Sequence, residues 1–171
     1  LISRGAEVNA VTRTGATPAW VLPNSVPGFG HGIGIIRGGL PDRGSRYLIP
    51  GGMTPLLYAA RDGRMESARL LVSNGAQIET ADPNGITPLL MAVSNNQMEM
   101  SRFLIDRGAN VNVADWYGRT PLWSAVEVRN MDVDNATFKN GVDRAPVLDL
   151  IKVLVDKGAN VKDRKSTRLN S

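Results

Sequence analysis

The chain has 171 residues, 42% of them hydrophobic, and a formal net charge of +4 from 20 Lys and Arg against 16 Asp and Glu. Three of those bases and one of the acids fall within residues 163–171; without them the net charge is +2, which gives no support to a nucleic-acid partner and its need for a clustered basic face. Cysteine is absent, excluding disulfide and thiolate chemistry, and no run approaches the ~18 consecutive apolar residues of a membrane span.

In chain order, residues 1–10 read L-I-S-R-G-A-E-V-N-A, the tail of a repeated unit without its opening, so the sequence reads as a piece of a longer array. Residues 11–51 follow. Thr17-Pro18 keeps the register of later Thr-Pro pairs, but the stretch P-N-S-V-P-G-F-G-H-G-I-G-I-I-R-G-G-L-P-D-R-G-S is dense in helix breakers. Gly5 and Gly75 are 70 residues apart, 37 more than the period found downstream, and 11–51 is predicted to be one long insertion in the loop between units. Its alternating glycines at 28–34 do not fit G-x-G-x-x-G, and no G-K-[ST] follows. His31 is the only histidine; with no cysteine it cannot form a usual zinc site, and pairing with a carboxylate such as Asp42 is conjecture. No nucleophile arrangement is recognisable around it. The expectation is therefore no catalytic residue, no metal, no cofactor and no small-molecule ligand.

From residue 52 the pattern becomes periodic. Thr54-Pro55, Thr87-Pro88 and Thr120-Pro121 recur every 33 residues, and Gly75-Ala76 and Gly108-Ala109 keep the same interval. A fixed period of that length means stacked helical units, here 52–84, 85–117 and 118–162. Each Thr is placed to cap a helix N-terminus, and each Pro suits the first helical position, where its missing N–H costs no bond. The small residues Ala59, Ala60, Ala92, Val93, Ala125 and Val126 permit close helix approach on the first helix of each unit. Gly63 and Asn96 mark the turn to a second helix. That helix carries apolar residues at helical spacing: Met65, Ala68, Leu71 and Val72; Met98, Ser101, Leu104 and Ile105; Leu148, Ile151, Leu154 and Val155. Glu66, Glu99 and Asp149 are predicted in its first turn, and Gly75, Gly108 and Gly158 at its end. The third unit is longer, because Gly108 and Gly158 are 50 residues apart, and a second insertion is predicted near 128–146. The acceptor-like Asn135-Ala136-Thr137 within it is read as a chance match.

The recurring T-P-L, the double-alanine first helix, the L-L/F-L/V-L second helix and the closing G-A-N-V-N together resemble the ankyrin repeat. The resemblance implies an all-α solenoid of helix-turn-helix units with finger loops, here one domain over 1–162 with two loop insertions. The family usually places His after T-P-L, bridging neighbouring repeats, whereas this chain has Leu57, Leu90 and Trp123, so packing is expected to replace those polar links. The resemblance also implies binding through the finger tips and the exposed face of the first helix. Those places hold Asn84, Ile86, Trp116, Tyr117 and Arg119, then Arg61, Asp62, Ser94, Asn95 and Glu127. Trp116 and Tyr117 stand out, since Trp, Tyr and Arg are enriched at binding hot spots. The expected function is a non-catalytic scaffold for a protein partner; the alternative is a regulatory or targeting module of a larger enzyme or effector. The long inserts resemble those of ankyrin proteins of environmental bacteria, which implies such a source and leaves the compartment open. Residues 163–171, D-R-K-S-T-R-L-N-S, break the repeat, and one of their DNA encodings resembles a short-read sequencing adapter; they are set outside the fold.

Overall fold

The computed structural model describes residues 5–14, 51–130 and 145–161. Thr17-Pro18, the glycine run with His31 and Asp42, Asn135-Ala136-Thr137 and the 163–171 tail lie outside them. The described chain forms six helices and no strand: α1 (Pro55–Asp62), α2 (Met65–Ser73), α3 (Pro88–Ser94), α4 (Met98–Asp106), α5 (Pro121–Asn130) and α6 (Ala145–Asp156).

Local chemistry sets where these helices begin and end. Extended backbone at Thr54 and Thr87 lets each hydroxyl accept from the amide three residues on, Leu57 at 3.2 Å and Leu90 at 3.3 Å, and Thr120 does the same for Trp123. The turn into α2 or α4 needs one left-handed residue, Gly63 at φ 66° and Asn96 at φ 58°. Each outer helix closes through the same two bonds. Ala76 N donates to Leu71 O at 2.9 Å and Gly75 N to Val72 O at 3.2 Å; Ala109 and Gly108, then Ala159 and Gly158, repeat the pair.

Helices α1, α3 and α5 stack as an inner layer, and α2, α4 and α6 each pack behind the inner helix of their own unit. Leu56, Leu57, Ala59, Ala60, Leu89, Leu90, Ala92, Val93, Leu122 and Ala125 are buried, the small ones as a close helix approach requires, whereas Val126 of α5 is exposed. Leu57 and Leu90 sit fully buried at the family's usual histidine position, and packing replaces the polar link there, whereas Trp123 at the third such position is 46% exposed and does not fill that role. Buried Ser101 is satisfied by donating to Gln97 O at 2.8 Å.

The third unit departs from the predicted phase. In α6 the buried residues are Val147, Leu150 and Leu154, whereas Leu148 and Val155 are exposed; Met100 of α4 also joins the core. Helix α6 starts at Ala145, so Asp149 lies beyond its first turn and instead pairs with Lys152 at 3.2 Å and Arg102 at 3.8 Å. Residues 128–130 and 145–146, assigned to the insertion, are helical. Nothing in Val128, Arg129 or Asn130 breaks a helix, and Pro146 lies in the first turn, where no intrahelical N–H is needed.

Units are also tied along one edge. Asn9, Glu79 and Asn112 each lie four residues after a unit-closing glycine. Asn9 donates to Gly75 O at 3.2 Å and accepts from Gln77 N at 2.9 Å. Asn112 does likewise with Gly158 O and Asn160 N, at 3.0 and 2.8 Å. Glu79 accepts from Asn110 N at 2.8 Å.

Candidate functional site

The finger turns are built around an aspartate repeated at the same interval. Asp82 Oδ1 accepts from Asn84 N at 2.9 Å and Ile86 N at 2.8 Å, while Asp82 N donates to Ile86 O and Asp82 O accepts from Gly85 N. Asp115 repeats every one of these bonds with Tyr117, Arg119 and Gly118. A carboxylate taking two backbone N–H groups fixes a five-residue turn with little freedom at its tip. Thr12 stands at the equivalent place in the preceding unit. Its N–H donates to Met53 O at 3.0 Å, its carbonyl accepts from Gly52 N at 3.0 Å, and its hydroxyl accepts from Met53 N at 2.9 Å. The base of a regular finger is thus closed between residues 41 apart in sequence rather than four.

Neighbouring fingers touch. Trp116 N donates to Asn84 O at 3.1 Å, and a Cβ on Gly85 would lie 3.3 Å from Trp116 Cδ1. One unit earlier Pro83 occupies the place of Trp116. Having no N–H to donate, it lays its ring against Gly52, where any Cβ would overlap it.

This geometry divides the predicted tip residues into two sets. Trp116 is 67% exposed and Tyr117 is half-buried. Asn84, Ile86 and Arg119 are buried, which corrects the expectation that they face solvent. The turn is so short that alternate side chains point back beneath it: Asn84 Nδ2 reaches Asp82 Oδ2 at 3.0 Å, and Ile86 joins the core. Arg119 binds Asp115 Oδ2 through Nε at 2.7 Å and Nη2 at 2.6 Å, with its guanidinium 5.0 Å from the centre of the Tyr117 ring. These three residues shape the tips from below.

Burial pushes the Tyr117 phenol above its ordinary pKa; the Arg119 charge opposes this and the Asp115 charge adds to it. On the first helices, Arg61, Ser94 and Glu127 occupy one repeating position and are partly accessible; Asp62 is exposed and Asn95 half-buried at the next. Arg61 pairs with Asp62 at 2.8 Å and lies 4.9 Å from the centre of the half-exposed Tyr58 ring. That hydrogen bond raises the Arg61 pKa further, against the burial that lowers it. Asn95 turns back to donate to Met91 O at 2.8 Å.

Asp82, Asp115 and Tyr58 were not among the predicted site residues. The two aspartates carried a signal, D-x-x-G-x-T-P at the period of the repeat; Tyr58 had none, since Met91 and Ser124 at its equivalent places are buried. Among the described residues no group of three or more His, Cys, Asp or Glu could hold a metal ion, and no helix is long and apolar enough to cross a membrane.

No curated protein matches the chain. The family described as Ankyrin repeats (3 copies) matches residues 56–165, which takes in five of the six helices entirely and all but the first residue of α1. With paired helices, Thr-Pro caps and bonded fingers recurring in phase across that span, the chain belongs to the ankyrin repeat family.

Proposed function

We propose that this chain is a non-catalytic scaffold that binds a protein partner along the finger tips and the exposed side of the first helices. Ankyrin repeats are in general protein-protein interaction modules. The observation that carries the finer reading is Trp116: a large aromatic, two-thirds exposed, on a turn whose backbone is held by Asp115 and by the neighbouring finger. A rigid amphipathic anchor of this kind loses little conformational entropy on binding. Tyr117, Tyr58, Arg61, Asp62, Ser94, Asn95 and Glu127 complete the proposed surface, with Asn84, Ile86 and Arg119 supporting it.

A photo-crosslinking residue at Trp116 or Tyr58, with the same residue at exposed Leu70 on an outer helix as control, tests the reading in the source cells. Recovery of one protein from the first two positions and not from Leu70 is the expected result. Equal yields from all three, or crosslinks only from Leu70, would reject the assignment.

A further inference from the structure

Asparagine precedes glycine at Asn74-Gly75, Asn84-Gly85 and Asn140-Gly141, the last outside the described residues. In such a pair the glycine carries no side chain to hinder its backbone nitrogen, which can attack the preceding Asn Cγ. A new N–Cγ bond closes a cyclic imide, while Nδ2 takes up the amide proton and leaves as ammonia. Water then opens one of the two imide carbonyls. The product is aspartate or, with the main chain rerouted through Cγ, isoaspartate.

The fold treats the two described pairs differently. Asn84 is 3% exposed, and its Nδ2 is held on Asp82 Oδ2 at 3.0 Å. Its attacking atom is held as well, since Gly85 N donates to Asp82 O at 3.0 Å. Asn84 O also accepts from Trp116 N, so freeing this pair means opening the turn and its contact with the next finger. Asn74 is exposed at the C-terminal end of α2, and a Cβ on Gly75 would meet nothing within 4 Å. Only local bonds hold its reacting atoms: Nδ2 to Leu70 O at 2.7 Å and Ser73 Oγ at 3.4 Å, and Gly75 N to Val72 O at 3.2 Å. The last is longer than its equivalents at Gly108 and Gly158, 3.0 and 2.9 Å. All three break when the final turn of one helix frays, the least costly kind of opening.

We propose that Asn74 is a site of spontaneous deamidation in the folded chain, and that the finger turn protects Asn84. The product acts on what Gly75 holds. Isoaspartate lengthens the main chain just before Gly75, whose carbonyl accepts from Asn9 Nδ2. Its carboxylate cannot donate to Leu70 O, and it lies at the negative end of the helix dipole. The bonds of Asn9 to Gly75 and Gln77 are lost, which loosens residues 5–14 from the first unit.

The test ages the full chain in mildly alkaline buffer, folded and in urea. Peptide mapping, with fragmentation that separates aspartate from isoaspartate, follows both sites. Expected in the folded chain is conversion at Asn74 at least severalfold faster than at Asn84, with comparable rates in urea. Hydrogen exchange at the Gln77 amide should quicken severalfold in the aged chain, as it should in Asn9→Ala. The inference is overturned if Asn74 stays intact in the folded chain while converting in urea, or if Asn84 keeps pace with it. A contrast as large in urea also overturns it, by making the difference a property of sequence alone. Unchanged Gln77 exchange in converted material would overturn the effect on Asn9.

Discussion

Asp115 holds Arg119 by three separate bonds, one to its backbone N–H at 2.9 Å and two to its guanidinium at 2.7 and 2.6 Å, all out of solvent. One unit earlier the same aspartate position holds a backbone N–H whose side chain is Ile86. The finger therefore works with or without the buried cation, and the cation is dangerous only when its partner is removed.

Asp115→Ala should accordingly destabilise the chain by about 3–5 kcal/mol, the cost of leaving a buried charge unpaired. Arg119→Ile should cost less than Asp115→Ala, because Asp115 keeps its two backbone N–H donors and the equivalent Asp82 holds the same turn with Ile86 at the place of the arginine. The double variant should be more stable than Asp115→Ala alone. Urea denaturation of all three measures this; strictly additive effects would show that the two side chains are not coupled.

The Tyr117 phenol should titrate above its unfolded value of about 10. A folded-state pKa raised in this way makes a contribution to stability that is complete below the unfolded pKa and lost as pH climbs through the folded one. Phenolate absorbance of the native chain minus that of Tyr117→Phe should show one tyrosine ionising at higher pH than in urea. Coincident curves would mean that the ring is not buried in solution.

Deleting residues 14–50 removes 37 residues and brings Arg13 next to Gly51, restoring the four-residue interval between Thr12 and Met53 that the other fingers use. Closure entropy grows slowly with loop length, so stability should change by no more than roughly 2 kcal/mol and the helical circular dichroism should persist. Collapse of the helical signal would show that the bonds at the finger base cannot form without the intervening segment.

Leu90→Ala and Trp123→Ala occupy the same repeat position in different surroundings. The first should cost about 2–5 kcal/mol through cavity formation, the second about 1 kcal/mol or less. Equal losses in thermal denaturation would mean that Trp123 is as well covered as Leu90.

Much of the fold was legible because its signals are local. A Thr whose hydroxyl caps the third amide on, a Pro that needs no donor, and Gly63 or Asn96 in a left-handed turn act within a few residues of themselves. The candidate site was less legible. Whether Ile86 or Arg119 faces out depends on how a five-residue turn sits against its neighbour, which is a relation between units and leaves no mark on either alone. The same holds for α6, where aligning Leu148 and Val155 on Gly158 put them in the core, although the helix buries Val147 and Leu150.

The ladder along the unit edge has mechanical consequences. Asn9 and Asn112 both give and take a hydrogen bond, whereas Glu79, with no donor, can only take one. The joint it spans has one such bond on that edge, where the other two have a pair. Under a stretching load applied across the array, the edge between Glu79 and Asn110 should open before the edge held by both bonds of Asn112.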